Sequence, residues 1–241
     1  MIISVISGKG GTGKTAVVAN VGASLASDFG KRVLLVDCNL ESPDLPLWFN
    51  LFPPIPSREK KVENLKAYTY RPGLDVMPSS SIEGLKGEKL GQILRKSGYH
   101  YVILDTPPVG FSEFLNSSDC ALITTTPDIA AVSRALKATK MAEKKDVKVI
   151  GVVLNRVRVA SYEVSKTEIL STFRVPLIVT IPEDTSVMKS LMEGMPCVLS
   201  HPGSRASIAF KKLAAEICGE EFKMGPIQRI RLKGWKLWRS V

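Results

Sequence analysis

Residues Ser7–Thr15 read SGKGGTGKT, directly after the β-branched run Ile2–Ile6 (IISVI) and before a helical pattern over Lys14–Phe29 that stops at Gly30. Gly8 to Thr15 fits G-x-x-x-x-G-K-T, and a strand before it with a helix after it is the setting in which that spacing cradles phosphate. Gly8, Gly10, Gly11 and Gly13 free the backbone so that N–H groups, including those of Thr12 and Ala16, can turn inward at the positive end of the helix. Lys14 is then expected to pair with the β- and γ-phosphates, and the Thr15 hydroxyl to ligate Mg²⁺. Lys9 is a second cation that such a loop does not need.

Outward from the loop, short fully apolar runs alternate with helical stretches. Strands are expected at Arg32–Val36, Gly73–Met77, Tyr99–Leu104, Ala121–Thr125, Val147–Leu154 and Pro176–Ile181. Helices are expected at Glu83–Ser97, Ile129–Lys145, Ser161–Phe173 and Ser204–Ile217. Strands apolar on both faces imply a parallel sheet covered on both sides, so, with the loop motif at the end of the first strand, the fold class is α/β: one P-loop domain with a mostly parallel twisted sheet and helices on both faces. Residues 52–72, with PPIP and REKK, read as an exposed connection. Ligands of such sheets bind beyond the carboxyl ends of the strands. Asp37, Asp105, Asn155 and Pro182-Glu183-Asp184 all fall at those ends.

A Mg²⁺–polyphosphate site needs carboxylates to hold the metal's waters. Asp105, after YVIL, is the first candidate, and Asp37, after LLV, points toward the same cleft. Thr106-Pro107-Pro108-Val109-Gly110 forms a stiff turn in which Gly110 can bond a γ-phosphate.

GKGGTGKT, LLVDCNLESPDL, VILDTPPVG, VVLNR and VTIPED together resemble the deviant Walker A ATPases of the MinD/ParA group, over residues 1–220 or so, and archaeal MinD-like proteins in particular. The resemblance implies ATP/ADP with Mg²⁺ and an ATP-dependent homodimer in which Lys9 reaches the partner's phosphates, as an arginine finger does. It also implies that Asn155, Pro182 and Glu183 recognise adenine. The family's segment after the second strand usually reads D-x-D, its second Asp acting on the attacking water, whereas here it reads Asp37-Cys38-Asn39. An amide holds a water but takes no proton, which predicts slow hydrolysis and a long-lived dimer. Glu41 and Asp44 follow closely, and spacing does not say whether either reaches the γ-phosphate.

Formal charge is +10, and residues 222–241 carry six basic side chains with no acid. The chain therefore divides into an ATPase domain, 1–221, and a basic tail, 222–241. At 100° per residue Ile227, Ile230, Trp235, Leu237, Trp238 and Val241 cluster within about 160° of arc. That pattern suits a lipid surface, self-packing, a protein partner or, less well, DNA. MinD proteins attach to membrane through such a tail. No signal peptide precedes the first strand, and no apolar run nears the ~18 residues of a membrane span. A cytoplasmic protein, peripheral at the inner face of the membrane, is the expectation, with an activating protein as a further partner. Cys38, Cys120 and Cys197 lie in apolar runs, which points to buried reduced thiols. Three other functions share the group's motifs. A nucleotide-binding regulator with negligible turnover fits Asn39. An Mrp-type iron–sulfur carrier ATPase normally has a C-x-x-C that is missing here, and a tyrosine autokinase needs a terminal tyrosine cluster, whereas no tyrosine lies beyond Tyr162.

Overall fold

A computed structural model describes residues 1–51 and 59–223. The PPIP segment and the tail beyond Lys223 lie outside the described residues, and with them the expectation for 224–241.

The order of elements is β1 (Ile2–Ile6), α1 (Lys14–Ser27), β2 (Val33–Asp37), β3 (Glu59–Val62), β4 (Leu65–Arg71), β5 (Leu74–Met77), α2 (Gly87–Lys96), β6 (Tyr101–Asp105) and α3 (Ser112–Leu115). Then come β7 (Cys120–Thr125), α4 (Ile129–Lys144), β8 (Lys148–Val157), α5 (Lys166–Thr172), β9 (Leu177–Pro182), α6 (Thr185–Met192), α7 (Cys197–Ser200) and α8 (Arg205–Cys218). Among the described residues nine strands form one sheet in the order β3-β4-β5-β2-β6-β1-β7-β8-β9. All neighbours from β5 to β9 pair in parallel. The sheet is covered on both faces, as the unbroken apolar strands require. On one side Val17, Val21 and Leu25 of α1 and Phe210 and Leu213 of α8 pack on Ile3, Val5, Leu35 and Leu122. On the other, Val132 and Ala135 of α4 pack on Ile6 and Ile123, while Leu90 and Leu94 of α2 pack on Leu34 and Leu104. Alternate residues of one strand thus serve opposite layers. Cys38, Cys120 and Cys197 are buried free thiols.

The exposed connection expected over 52–72 is corrected in its second half. Residues Glu59–Val62 and Leu65–Arg71 form an antiparallel hairpin that extends the sheet through β5. Glu63 and Asn64 at its turn both have positive φ, 49° and 72°. A two-residue turn of that hand matches the twist of the strands it joins. The helix expected from Glu83 begins only at Gly87, after a 3-10 turn at Ser79–Ile82. The one expected from Ser161 begins at Lys166, where Ser165 and Glu168 form a capping box. Short helices α3, α6 and α7 carry too few turns to show a period in the sequence.

Candidate functional site

The carboxyl ends of β1, β2 and β6 converge. Val5 and Asp37 are both register partners of Asp105, one on each side. The Gly-rich loop leaves β1 at Ser7 and enters α1 through Gly13, whose φ of 85° is left-handed. That conformation costs glycine nothing and strains any other residue. A Cβ at Gly13 would lie 2.2 Å from Asn155 Nδ2, so this position also has no room for a side chain.

Lys14 runs beneath the loop, 7% exposed, and donates to Ser7 Oγ at 3.0 Å. Ser7 Oγ in turn donates to the Lys9 carbonyl at 2.8 Å, tying both ends of the cradle to one hydroxyl. Burial holds the Lys14 ammonium below its ordinary pKa, and the Asp105 charge offsets part of this. Asp105 is 3% exposed, and its Oδ1 is buried with no hydrogen-bond partner. Burial pushes its pKa up to about 6, against the Thr15 hydroxyl and Lys14, which lower it. Asp37 is fully buried; burial and then the Asp105 charge push it up to about 7. Its two oxygens accept from Asn39 N at 2.9 Å and Leu45 N at 3.1 Å. Lys14, Thr15, Asp37 and Asp105 are therefore brought together at the ends of β1, β2 and β6.

A buried acid with an orphaned oxygen beside a buried ammonium is a site short of a partner. A hydrated divalent cation supplies what Asp105 Oδ1 lacks, and a polyphosphate supplies the negative charge that Lys14 and the loop N–H groups await. Both fit the residues present.

The other candidates are placed as follows. Asn39 turns its amide onto the Ser42 carbonyl at 2.7 Å, closing its own turn. Asn155 donates from Nδ2 to the Thr12 carbonyl at 2.8 Å, which ties it to the loop through one N–H. Glu183, next to Pro182 at the end of β9, forms a two-pronged ion pair with Arg158, and its own N–H bonds Val157 O at 2.9 Å. Gly110 has a φ of 80°. Lys9 lies at the rim, 3.2 Å from Asp128, both side chains being well exposed. Beside the loop, Lys9, Gly10, Gly11, Asp128, Arg156 and Tyr162 line a pocket of about 280 Å³.

Sequence reasoning missed Ser7, Asp128 and Arg158. Asp128 had a legible signal, since Asp before IAAV is a helix cap, and it does accept from Ala131 N at 2.9 Å. Ser7 and Arg158 had none, because their partners are brought to them by the fold.

Residues 3–197 match the family model for the CobQ/CobB/MinD/ParA nucleotide-binding domain. An uncharacterized ATP-binding protein of Methanocaldococcus jannaschii is 32% identical, with 92% of this chain and 89% of that protein covered. The septum site-determining protein MinD of Synechocystis is 30% identical over 91% of this chain and 90% of its own length. Among solved structures, MinD of Pyrococcus horikoshii complexed with Mg-ADP superposes with a TM-score of 0.78 at 28% identity, covering 90% of this chain and 95% of that one. The loop, the two strand-end carboxylates and this breadth of similarity have one source: the chain belongs to the CobQ/CobB/MinD/ParA family of nucleotide-binding proteins.

Proposed function

We propose that this chain is a MinD-like ATPase that hydrolyses ATP to ADP and phosphate and switches between a monomer and an ATP-bound homodimer. The observation that carries the reading is the juxtaposition of buried Lys14 with Asp105, whose Oδ1 lacks a partner, and with Asp37. Thr15 would hold Mg²⁺ directly and Asp105 and Asp37 through water, and the bound ion would supply charge neutralisation for phosphoryl transfer. Gly8 to Ala16 and Gly110 grip the phosphates. Asn155, Pro182 and Glu183 border the base, with one Asn155 N–H also holding the loop. Glu183 does so with its backbone carbonyl, because its carboxylate is taken by Arg158 and its N–H by Val157.

Lys9 is free to serve a second protomer: an exposed ion pair such as Lys9–Asp128 is worth under ~1 kcal/mol. Gel filtration with and without ATP tests the switch. A dimer formed with ATP by the parent and not by Lys9→Ala is expected, and a parent that stays monomeric with ATP overturns the reading.

Asn39 offers an amide where the family has a carboxylate, and an amide takes no proton, so turnover is slow and the dimer long-lived; one N–H of that amide is held by the Ser42 carbonyl. The same observation favours a second reading, a nucleotide-binding regulator with negligible turnover, which phosphate release by the parent excludes. The relatives named for septum placement support a role in positioning partners during division or partitioning. Residues 224–241 serve as a peripheral membrane contact. Among the described residues no helix is long and apolar enough to cross a membrane. Co-sedimentation with anionic liposomes, and separately with duplex DNA, with and without 224–241, tests that assignment; retention on liposomes after deletion would sink it.

A further inference from the structure

Two acids follow Asn39 in the sequence, and the fold tells them apart. The segment after β2 closes over the Asp37 carboxylate, with the N–H groups of Asn39 and Leu45 on its two oxygens. The Asn39 amide bonds Ser42 O, which puts Leu40 and Glu41, both exposed, at the apex of that turn and facing water. Asp44 is different. It is the residue immediately before Leu45, whose N–H lies 3.1 Å from Asp37 Oδ2. Peptide geometry therefore keeps the Asp44 Cα within about 5.5 Å of that oxygen. Its side chain is solvent-exposed, and it caps nothing in the 3-10 turn Leu45–Phe49 that it precedes. Its negative charge acts on both Asp37 and Asp105. Asp44 is thus an exposed carboxylate whose side chain makes no cap bond, held beside Asp37 by a loop that the buried acid itself organises.

We propose that Asp44, rather than Asn39 or Glu41, holds and activates the water that attacks the γ-phosphate. This rests on the ATPase reading above. In that step the water oxygen bonds to the γ-phosphorus as the bond from phosphorus to the terminal oxygen of ADP breaks. The proton that the water loses passes to Asp44 and from it to the released phosphate, so the carboxylate is regenerated. Asp44 carries the slow turnover that Asn39 cannot sustain. It stands five residues beyond Asn39, the residue that takes the place of the second Asp in the D-x-D pattern.

Phosphate release from Mg-ATP and calorimetric binding of Mg-ADP, both with the full chain, test the assignment. Asp44→Asn is expected to lower turnover about 100-fold, the scale of a lost general base, with Mg-ADP affinity unchanged. Glu41→Gln keeps the parent's turnover, and adding Asn39→Asp to Asp44→Asn restores it. An Asp44→Asn protein as fast as an active parent overturns the proposal, as does an equal loss in Glu41→Gln. A fall in Mg-ADP affinity that parallels the fall in turnover also overturns it, since Asp44 would then be shaping the site. A parent that binds Mg-ADP but releases no phosphate removes the ATPase reading itself, and this assignment with it.

Discussion

Asp37 and Asp105 are register partners on adjacent strands, both buried; burial disfavours the charge on each, and the Asp105 charge further disfavours that on Asp37. Two acids so placed make the unliganded fold sensitive to pH. Asp37 is pushed up to about 7 and Asp105 to about 6, both above the unfolded range near 4, so the folded chain binds more protons than the unfolded chain between those limits. Stability from these groups is fully present below about pH 4 and is lost as pH rises through 6 and 7. Lys14 and the exposed Asp44 are the other charges acting on Asp105. Asp105→Asn removes one buried charge and offers Thr15 an uncharged partner. Its thermal midpoint should fall less than the parent's between about pH 5.5 and about pH 8. Equal slopes would refute this. Mg-nucleotide binding should follow the opposite trend, strengthening as pH rises and the carboxylates charge.

The phosphate loop makes a second prediction through its glycines. Gly13 has a φ of 85° and an Asn155 amide 2.2 Å from where a Cβ would stand, whereas at Gly10 the nearest atom is 4.0 Å away. Gly13→Ala should abolish Mg-ADP binding in calorimetry, with a loss beyond 100-fold, or about 2.7 kcal/mol. Gly10→Ala should keep the fold and melt within about 2 °C of the parent. Asn155→Ala leaves the Thr12 carbonyl without its donor, a loss of about 1–3 kcal/mol. It should weaken Mg-ADP binding at least tenfold. Unchanged affinity in Asn155→Ala would show that the loop holds its shape unaided.

Lys9 and Asp128 allow a separation of roles. The pair lies 3.2 Å apart with side chains 38% and 46% exposed, so it adds under ~1 kcal/mol to the monomer. Lys9→Ala should leave the melting temperature within about 2 °C of the parent while removing ATP-dependent dimerisation. Asp128→Ala should instead cost about 1 kcal/mol, because it deletes the cap of α4. If Lys9→Ala destabilised the monomer by more than its partner's variant, the lysine would be structural.

How much of this was open to a sequence reader follows from what each feature depends on. Ile2–Ile6, Val33–Asp37 and Tyr101–Asp105 announce themselves because a strand buried on both faces is apolar throughout. The phosphate loop is legible because its glycines and lysine lie in one short stretch whose spacing is written in the sequence. The place of Asp44 is not, since the folding of 38–45 over Asp37 decides which acid stands beside the buried pair. The contact between Asn155 and Thr12 joins residues 143 apart. The hairpin Glu59–Arg71 hid for another reason: at the sheet's edge only Val62 and Ala67 are buried, and EKKV with LKAYTYR looks like a loop.

That hairpin is pinned by one buried acid, which gives the last prediction. Asp75 of β5, 5% exposed, accepts from Thr69 Oγ1 at 2.6 Å, Tyr99 Oη at 2.5 Å and Lys60 Nζ at 2.9 Å. The half-buried Tyr99 phenol, pushed up to about 12 by burial and then by this carboxylate, stays a proton donor throughout. Asp75→Ala strands the Thr69 and Tyr99 hydroxyls and should cost about 2–4 kcal/mol in urea unfolding. Lys60 is 42% exposed and can turn to water, so Lys60→Met should cost less than about 1 kcal/mol. Asp75 pairs with Leu34, at the opposite end of β2 from Asp37, so Mg-ADP affinity should survive Asp75→Ala. A loss of binding in that variant would mean that the edge hairpin and the phosphate site are coupled through β2, and equal losses in the two variants would show that the ion pair, not the hydroxyl bonds, holds the hairpin.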